Sequence, residues 1–472
     1  MERGFAWGER RQSVVEEKGV RVCSRRPGMP VHGSRRACYD ARMIARPLSS
    51  ALVALRTVFA SWSSSVRSRG IVVVVVFACA AAPFTAGCAS STGDVPDDDA
   101  GEPEPDPAPV GPLAVIDGAR DGTAPLLLAL DASLSEPGDA ALASFAWTVD
   151  DEVRGQDLTL DLTLLVAGPH TIALSVTDDD GLSHETSATV TVEPEGCPTF
   201  SVPSTRGSLD AADLTELSGL TAARKTPGVY FAHNDSGTGP YLFAISSSGA
   251  LHDAFEVTGA QAFDWEDIAS GPGPVTGENY LYIADTGDND YVRTSVKIYR
   301  VPEPDVDTAA APTLKSTATA EVITLTYPGA RENVEGLVVD PTDGSIYLFT
   351  KSYTTLSRIF RAPPVPDGGG TYVLEQVGTL DVNGAGTSTP LITAVDVSPL
   401  GNQIAVRTYT HLFVWVRPGG AAFESAFDGV RCTLPAPNEP QGEAVAFSLD
   451  ARTLVTVSEG AGAPVYQLSR TD

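Results

Sequence analysis

Acidic side chains recur at one place in a phrase that this chain repeats five times: SGLTAAR from Ser218, EDIASGP from Glu266, EGLVVDP from Glu335, TAVDVSP from Thr393 and EAVAFSL from Glu443. After each copy comes a turn with Gly, Pro or Asp, and then an apolar strand. Asp and Gly after a strand are ordinary turn formers. A Glu that opens a strand has no turn to make, so its recurrence carries the chemical signal. A second polar set follows the second strand of each repeat: His233, Asn234 and Asp235; Asp285, Asp288, Asn289 and Asp290; Lys351; Arg407 and Tyr409; Glu459. In an antiparallel pair the start of one strand lies beside the end of the next. Both sets therefore meet on one face, joined by Glu216, Ser218 and Asp264 from the strand starts.

Carboxylates crowded together raise one another's pKa unless a cation neutralises them, and two readings follow. In the first the cation is calcium, which takes about six to eight oxygen ligands. Its donors would be Asp264, Glu266, Asp285, Asp288, Glu335 and Glu443; the run DTGDND at 285–290 has the spacing of a calcium loop but lacks the closing Glu of an EF-hand. In the second, Lys351, Arg407, Arg224 or Arg293 neutralises the acids and the network is structural. Glu216, His233, Asn234, Asp235, Lys351, Arg407 and Glu459 are the ligand-binding candidates of the same face. His233, the single histidine of the set, is expected to hydrogen-bond an acid rather than act as a catalytic base. No GxSxG elbow, HExxH motif or Gly-rich phosphate loop is present, nor a CxxC or Cys/His cluster of the kind that binds zinc.

What must position these residues is legible in the period. A phrase repeated at roughly 50 to 70 residues, each time opening a run of strands, marks one four-stranded blade per copy. The expected fold is all-β, and residues 197–472 read as a five-bladed β-propeller. Six blades is the rival count if the segment 302–319 hides further structure. Blade four is read as ITAVDVSP, QIAVRTY, LFVWVR and FESAF. Blade five has three strands of its own, and TFSVPS after Cys197 is expected to complete it, removing an exposed edge. Cys197 and Cys432 would then lie at the seam as a disulfide, worth about 4 to 5 kcal/mol in the chain-entropy picture of a long loop.

Upstream, residues 112–194 carry short alternating strands and read as a small sandwich. LDASLSEPGD, SFAWTVD with Trp147, and AGPHTIALSVTDDDGLSHETSATVTV resemble the PKD domain, an Ig-like extracellular module, with WTVDDE at 147–152 in place of that family's WDFGDG turn. The resemblance makes Trp147 a core residue and puts Asp178, Asp179 and Asp180 in a hairpin turn; a calcium role for those three is the alternative. The phrases ELSGL, YFAHNDSG, DWEDIA, LYIADTGDN, IYRVPEP and NVEGLVVDP look like those of secreted bacterial propellers, and more loosely like esterase-like phytases, across 214–470. A calcium-dependent phytase would need bases beside its acids, for which Lys351, Arg407 and Arg293 are available.

The amino-terminal part reads as an address. Residues 1–70 are Arg-rich and without periodicity, as expected of a non-native or disordered extension, with Met43 or a nearer codon as the true start. Residues 71–87 form an uncharged apolar run after Arg67 and Arg69, short for a membrane span and suited to a signal peptide. The small residues before Cys88 resemble the bacterial lipobox, with Thr85 where Leu is usual. The resemblance implies lipidation of Cys88 and attachment to the cell envelope; an ordinary secretory peptide is the other reading. Residues 88–111 form an acidic, Pro-rich tether. The leader holds 14 of the chain's 32 basic residues and 5 of its 60 acids, so its removal takes the net charge from −28 to −37. That balance repels nucleic acid and anionic lipid and favours cations or basic partners. The expected function is binding of a small-molecule, glycan or protein ligand at the acid-rich face, with calcium as the candidate metal. The alternative is a calcium-dependent phosphoesterase at the same face.

Overall fold

The computed structural model of the chain describes residues 108–353, 356–382 and 391–472. The leader, the lipidation residue Cys88 and most of the acidic tether lie outside the described residues. Among the described residues, no helix is long and apolar enough to cross a membrane.

Seven strands build the first module: β1 (Gly122–Thr123), β2 (Leu126–Asp131), β3 (Leu142–Val149), β4 (Glu152–Gly155), β5 (Thr159–Leu164), β6 (Gly168–Asp178) and β7 (Ser183–Glu193). They form one sheet in the order β1-β7-β6-β3-β4 and a second of β2 and β5. Alternation in β6 and β7 turns Ile172, Leu174, Val176, Val190 and Val192 inward onto Trp147, the two-residue period of a half-buried strand. Trp147 is fully buried, and its indole N–H donates to the Asp157 carbonyl at 3.0 Å. In the departure from WDFGDG, Asp150 and Asp151 both take positive φ in the β3–β4 turn. The Asp150 carboxylate accepts from the Thr171 backbone N–H and pairs with His170. Asp178 Oδ1 accepts the N–H groups of Asp180 and Leu182, so it closes the β6–β7 hairpin as a turn residue.

The remaining strands form five sheets. After β8 (Ser204–Ser208), the first sheet holds β9 (Leu217–Ala222), β10 (Val229–Asn234), β11 (Tyr241–Ser246) and β12 (Leu251–Glu256). The second holds β13 (Trp265–Pro272), β14 (Asn279–Asp285) and β15 (Val296–Pro302); β16 (Leu314–Ser316) returns to pair in parallel with β12, and β17 (Glu321–Thr326) completes the second sheet. The third holds β18 (Val334–Val339), β19 (Ile346–Thr350) and β20 (Leu356–Ala362), after which β21 (Gly370–Val373) joins the edge of the second sheet in parallel and β22 (Glu375–Asp381) finishes the third. The fourth is β23 (Ile392–Val397), β24 (Gln403–Thr408), β25 (Leu412–Val416) and β26 (Arg431–Leu434). The fifth is β27 (Gly442–Phe447), β28 (Thr453–Ser458) and β29 (Pro464–Ser469), with β8 as its outer strand.

Every copy of the repeated phrase falls on the first strand of a sheet. These strands neighbour one another in the cyclic order β9, β13, β18, β23, β27 and back to β9. Five apolar layers fill the spaces between consecutive sheets, including the layer that joins the fifth to the first. A first strand covered on both faces reads as a continuous apolar run rather than an alternating one, as in other doubly buried strands. β9, β18, β23 and β27 are buried at every position.

One expectation is corrected here. FESAF is part of a 3-10 turn, Phe423–Asp428, and the outer strand of the fourth sheet is Arg431–Leu434. TFSVPS lies antiparallel to the end of the chain as expected: Phe200 bridges to Arg470, Ser201 N donates to the Ser469 carbonyl at 2.8 Å, and Ser204 pairs with Gln467 and opens β8, which continues to Ser208. The segment after Pro302 contributes one short strand to the first sheet, not a sheet of its own. The disulfide between Cys197 and Cys432 is present, with Cα atoms 5.5 Å apart. Close by, Glu195 is buried and accepts from Asn402 (2.6 Å), Gln403 (2.5 Å) and Arg470 (3.2 Å). A cavity of about 300 Å³ lined by Pro125, Leu165, Glu195, Arg417, Pro418 and Cys432 lies between the first module and the fourth sheet. Gln403 opens β24, whereas Arg407 is near its close. The seven-strand module therefore attaches at the end of the sheets away from the acid-rich face.

Candidate functional site

At the end where second strands finish, the two polar sets do converge. Lys351, just past β19, lies 3.0 Å from Glu335 at the start of β18 and stacks over the Tyr409 ring at 5.2 Å. The Tyr409 hydroxyl donates to Glu443 at 2.8 Å. Burial works against the lysine's charge, but Glu335 and Glu443 outweigh it and raise its pKa. Glu335 receives a second hydrogen bond from Asn333 at 3.1 Å, while its Oε2 is buried without a hydrogen-bond partner. Burial pushes Glu335 up to about 7 against the pull of Lys351.

The other acids surround this pair. Glu266 is buried, and burial followed by repulsion from Glu335 and Asp264 raises its pKa well above the carboxylate range. A Cβ on Gly287 would collide with Glu266 Oε1 and Asp264 Oδ2, so this glycine is what lets the 285–290 loop backbone lie against both carboxylates. Asp264 is raised by burial and then by Asp235. Glu216 is raised chiefly by Asp235 beside it. Glu459 reaches about 7 through burial and the fields of Glu443, Asp235 and Glu216. Glu443 is raised by burial against the opposing charge of Lys351.

Several candidates are engaged elsewhere. Asp285 pairs with Arg293 at 2.9 Å. Asp288 accepts the backbone N–H groups of Val292 (2.7 Å) and Arg293 (2.8 Å), which folds the loop after β14. Asn234 bridges Asp213 and Thr238 and fixes the entry to β9. His233 is fully buried at a bulge between β10 and β9, edge-on to Trp265, with Nδ1 2.9 Å from the Asn234 carbonyl. Burial lowers its pKa to about 4, so the ring is neutral and its partner is a backbone carbonyl rather than an acid. Arg407 is buried against Glu439, in the link before β27. Arg224 senses Asp396 and Glu303, away from this face. Of the four bases considered, Lys351 and Arg293 therefore meet the acids of the mouth directly. Among the described residues, no group of three or more His, Cys, Asp or Glu side chains is placed to hold one metal ion.

Two acids with a different task were not singled out in the sequence. Asp267, next to Glu266, is fully buried; Oδ1 accepts from Ile268 N (2.8 Å), and Oδ2 from Leu337 N (2.9 Å) and Val395 N (3.3 Å). It thereby joins β13, β18 and β23. Asp396 does the same between β23 and β27, accepting from Phe447 N at 2.6 Å. The signal that could have found them is position: each sits inside the repeated phrase, at a place where the other copies carry small or apolar residues.

Comparison with known proteins bears on the first module. Residues 109–193 match the family model of the PKD domain. The PKD1 domain of Vibrio anguillarum Epp aligns at 27% identity over 19% of this chain and 100% of that chain, with a TM-score of 0.17. The PKD1 domain of the Vibrio cholerae metalloprotease PrtV aligns at 22% identity over 18% of this chain and 99% of that chain, with a TM-score of 0.16. A chain of a mitotic checkpoint complex aligns over 82% of this chain and 98% of its own, at 12% identity and a TM-score of 0.25. No curated protein matches the sequence.

Proposed function

We propose that the five sheets are the blades of a five-bladed β-propeller and that its acid-rich mouth binds a cation or a positively charged group of a partner. The cyclic order of first strands and the five apolar layers support the propeller. One observation carries the binding reading. Glu216, Asp235, Asp264, Glu266, Glu335, Glu443 and Glu459 interact with one another, with Lys351 among them and Arg293 at their edge. Burial and mutual repulsion disfavour the ionised forms of these acids and raise their pKa values, and an added cation would favour the ionised forms again. Calcium is the metal this oxygen-only set would favour. Because Lys351 already occupies the centre, Asp285 is paired and Asp288 is tied into its loop, Asp264, Glu266 and Glu443 would have to rearrange around the ion.

Export and attachment through Cys88 complete the reading, supported by the PKD match and by the apolar run before that cysteine. A hydrolase at the same face is favoured by one observation: Glu335, at about 7, is poised for acid–base work near neutral pH.

The test is calorimetric titration of calcium chloride, and separately of tetralysine, into the chelator-treated chain at pH 8, with Glu266→Gln and Glu443→Gln alongside. Binding of either probe that both variants weaken supports a cation site at the mouth. Absence of heat and of any thermal shift with both probes would leave the acids as a structural network.

A further inference from the structure

We propose that a cleft beside the mouth, between the loop after β14 and the ends of β18 and β19, binds an uncharged saccharide ring. The cleft encloses about 770 Å³ and is lined by Tyr291, Arg331, Glu332, Lys351, Tyr353 and Arg358. Two of these are tyrosines left in solvent, Tyr353 at 71% and Tyr291 at 41% exposure. A tyrosine offers a rigid, amphipathic surface at little cost in conformational entropy.

Tyr291 is also held in a backbone conformation that its side chain disfavours, at φ 53°. The loop enforces it. Tyr291 N donates to the Asp288 carbonyl at 2.9 Å, the Asp288 carboxylate takes the next two backbone N–H groups, and Arg331 donates to the Tyr291 carbonyl at 3.2 Å. Asp288 thus projects a ring over the cleft. Tyr291 lies within electrostatic reach of Glu332, Tyr353 and Arg358, so the second ring and a charged pair share its surroundings.

Charge selects the class of ligand. Arg358 is paired with Glu332, and Lys351 with Glu335. The cleft therefore offers fixed donors and an acceptor close together, the arrangement that recognises neighbouring hydroxyls, flanked by apolar ring faces. Arg331 has no carboxylate partner among the described residues, but the acids of the mouth adjoin the cleft through Lys351 and repel a polyanion. A neutral polyhydroxylated ring fits both conditions. This proposal does not rest on cation binding at the mouth.

The experiment is calorimetric titration of the full chain with neutral hexasaccharides of β-1,4-linked glucose, α-1,4-linked glucose and β-1,4-linked N-acetylglucosamine, with an oligogalacturonate as the charged comparison. The variants are Tyr353→Ala and Tyr291→Gly, the latter because glycine accepts the positive φ and keeps the loop. Expected are binding of at least one neutral sugar and a loss of at least tenfold in each tyrosine variant with melting temperature retained. The proposal is overturned if no neutral sugar binds at millimolar concentration, if only the oligogalacturonate binds, or if binding survives both tyrosine variants.

Discussion

Glu266 and Asp267 are neighbours on β13, carry the same charge at neutral pH in water, and are both buried, yet they do opposite things. Asp267 faces the backbone: three N–H groups from three sheets donate to its two oxygens. Glu266 faces other acids and is held against their repulsion by the fold. The difference teaches that burial alone does not give a carboxylate its role. The donors around it decide whether it stabilises the structure or stores unfavourable charge for a ligand.

The largest effect should come from breaking the stabilising member. Asp267→Ala leaves three buried backbone donors without an acceptor, a loss of about 3 kcal/mol or more in unfolding free energy. The urea midpoint measures it, and a change under about 1 kcal/mol would mean that the links between β13, β18 and β23 are carried by packing.

Next comes the cation at the mouth. Lys351→Met removes the partner of Glu335 and the nearest positive charge to Glu443, at a cost of about 2 to 3 kcal/mol at pH 8. That cost should shrink at pH 5.5, where Glu335, at about 7, accepts a proton. The double variant Lys351→Met with Glu335→Gln should recover most of the loss; failure to recover would place the lysine's contribution in its stacking on Tyr409 instead.

The contrast between the two sets also explains what was legible in the sequence. The repeated phrase located all five first strands because doubly buried strands leave long apolar runs. β16 is not legible because it is short and mostly exposed, and β21 and β22 read in the sequence as one strand, YVLEQVGTL, because only Leu374 separates them. FESAF looked like a strand because its phenylalanines are spaced for burial, but Phe423 and Phe427 pack through a 3-10 turn. At the site, antiparallel geometry brought Glu335, Lys351 and Glu443 together on paper as it does in space. The Arg407–Glu439 pair was not legible, since Glu439 lies in a Pro-rich link whose course the strand pattern does not determine. Nor was the role of Asp267, since a sequence shows that an acid is buried among apolar neighbours without showing which backbone donors reach it.

A smaller, global consequence is the dependence of stability on pH. Glu335, Glu459 and Asp396 titrate near 7 in the folded chain, whereas unfolded carboxylates titrate near 4. Between those values the native state holds more protons than the unfolded state, so stability falls as pH rises through about 4 to 7 and levels off above. The melting temperature should be higher at pH 5.5 than at pH 8, and Glu335→Gln or Glu459→Gln should flatten the difference. A melting temperature that climbs steadily from pH 5.5 to 8 would contradict the raised values.

The smallest effect is the one that separates the neighbours most cleanly. Glu266→Gln keeps the shape of the side chain and removes an acid whose ionised form burial and the fields of Glu335 and Asp264 disfavour, so at pH 8, where the unfolded carboxylate is charged, it should stabilise the chain by about 1 kcal/mol. The gain should shrink as pH falls toward the pKa of an unfolded carboxylate, about 4. Asp267→Asn, its matching change one residue on, replaces an acceptor of backbone N–H groups with a side chain that has one oxygen fewer, and should destabilise at both pH values. Opposite signs at pH 8 from two adjacent, buried, isosteric substitutions would show that the fold spends one acid on cohesion and holds the other, at a cost to its own stability, for something outside itself. Equal signs would mean that both acids are scaffold, and that the cation reading of the mouth has lost its physical basis.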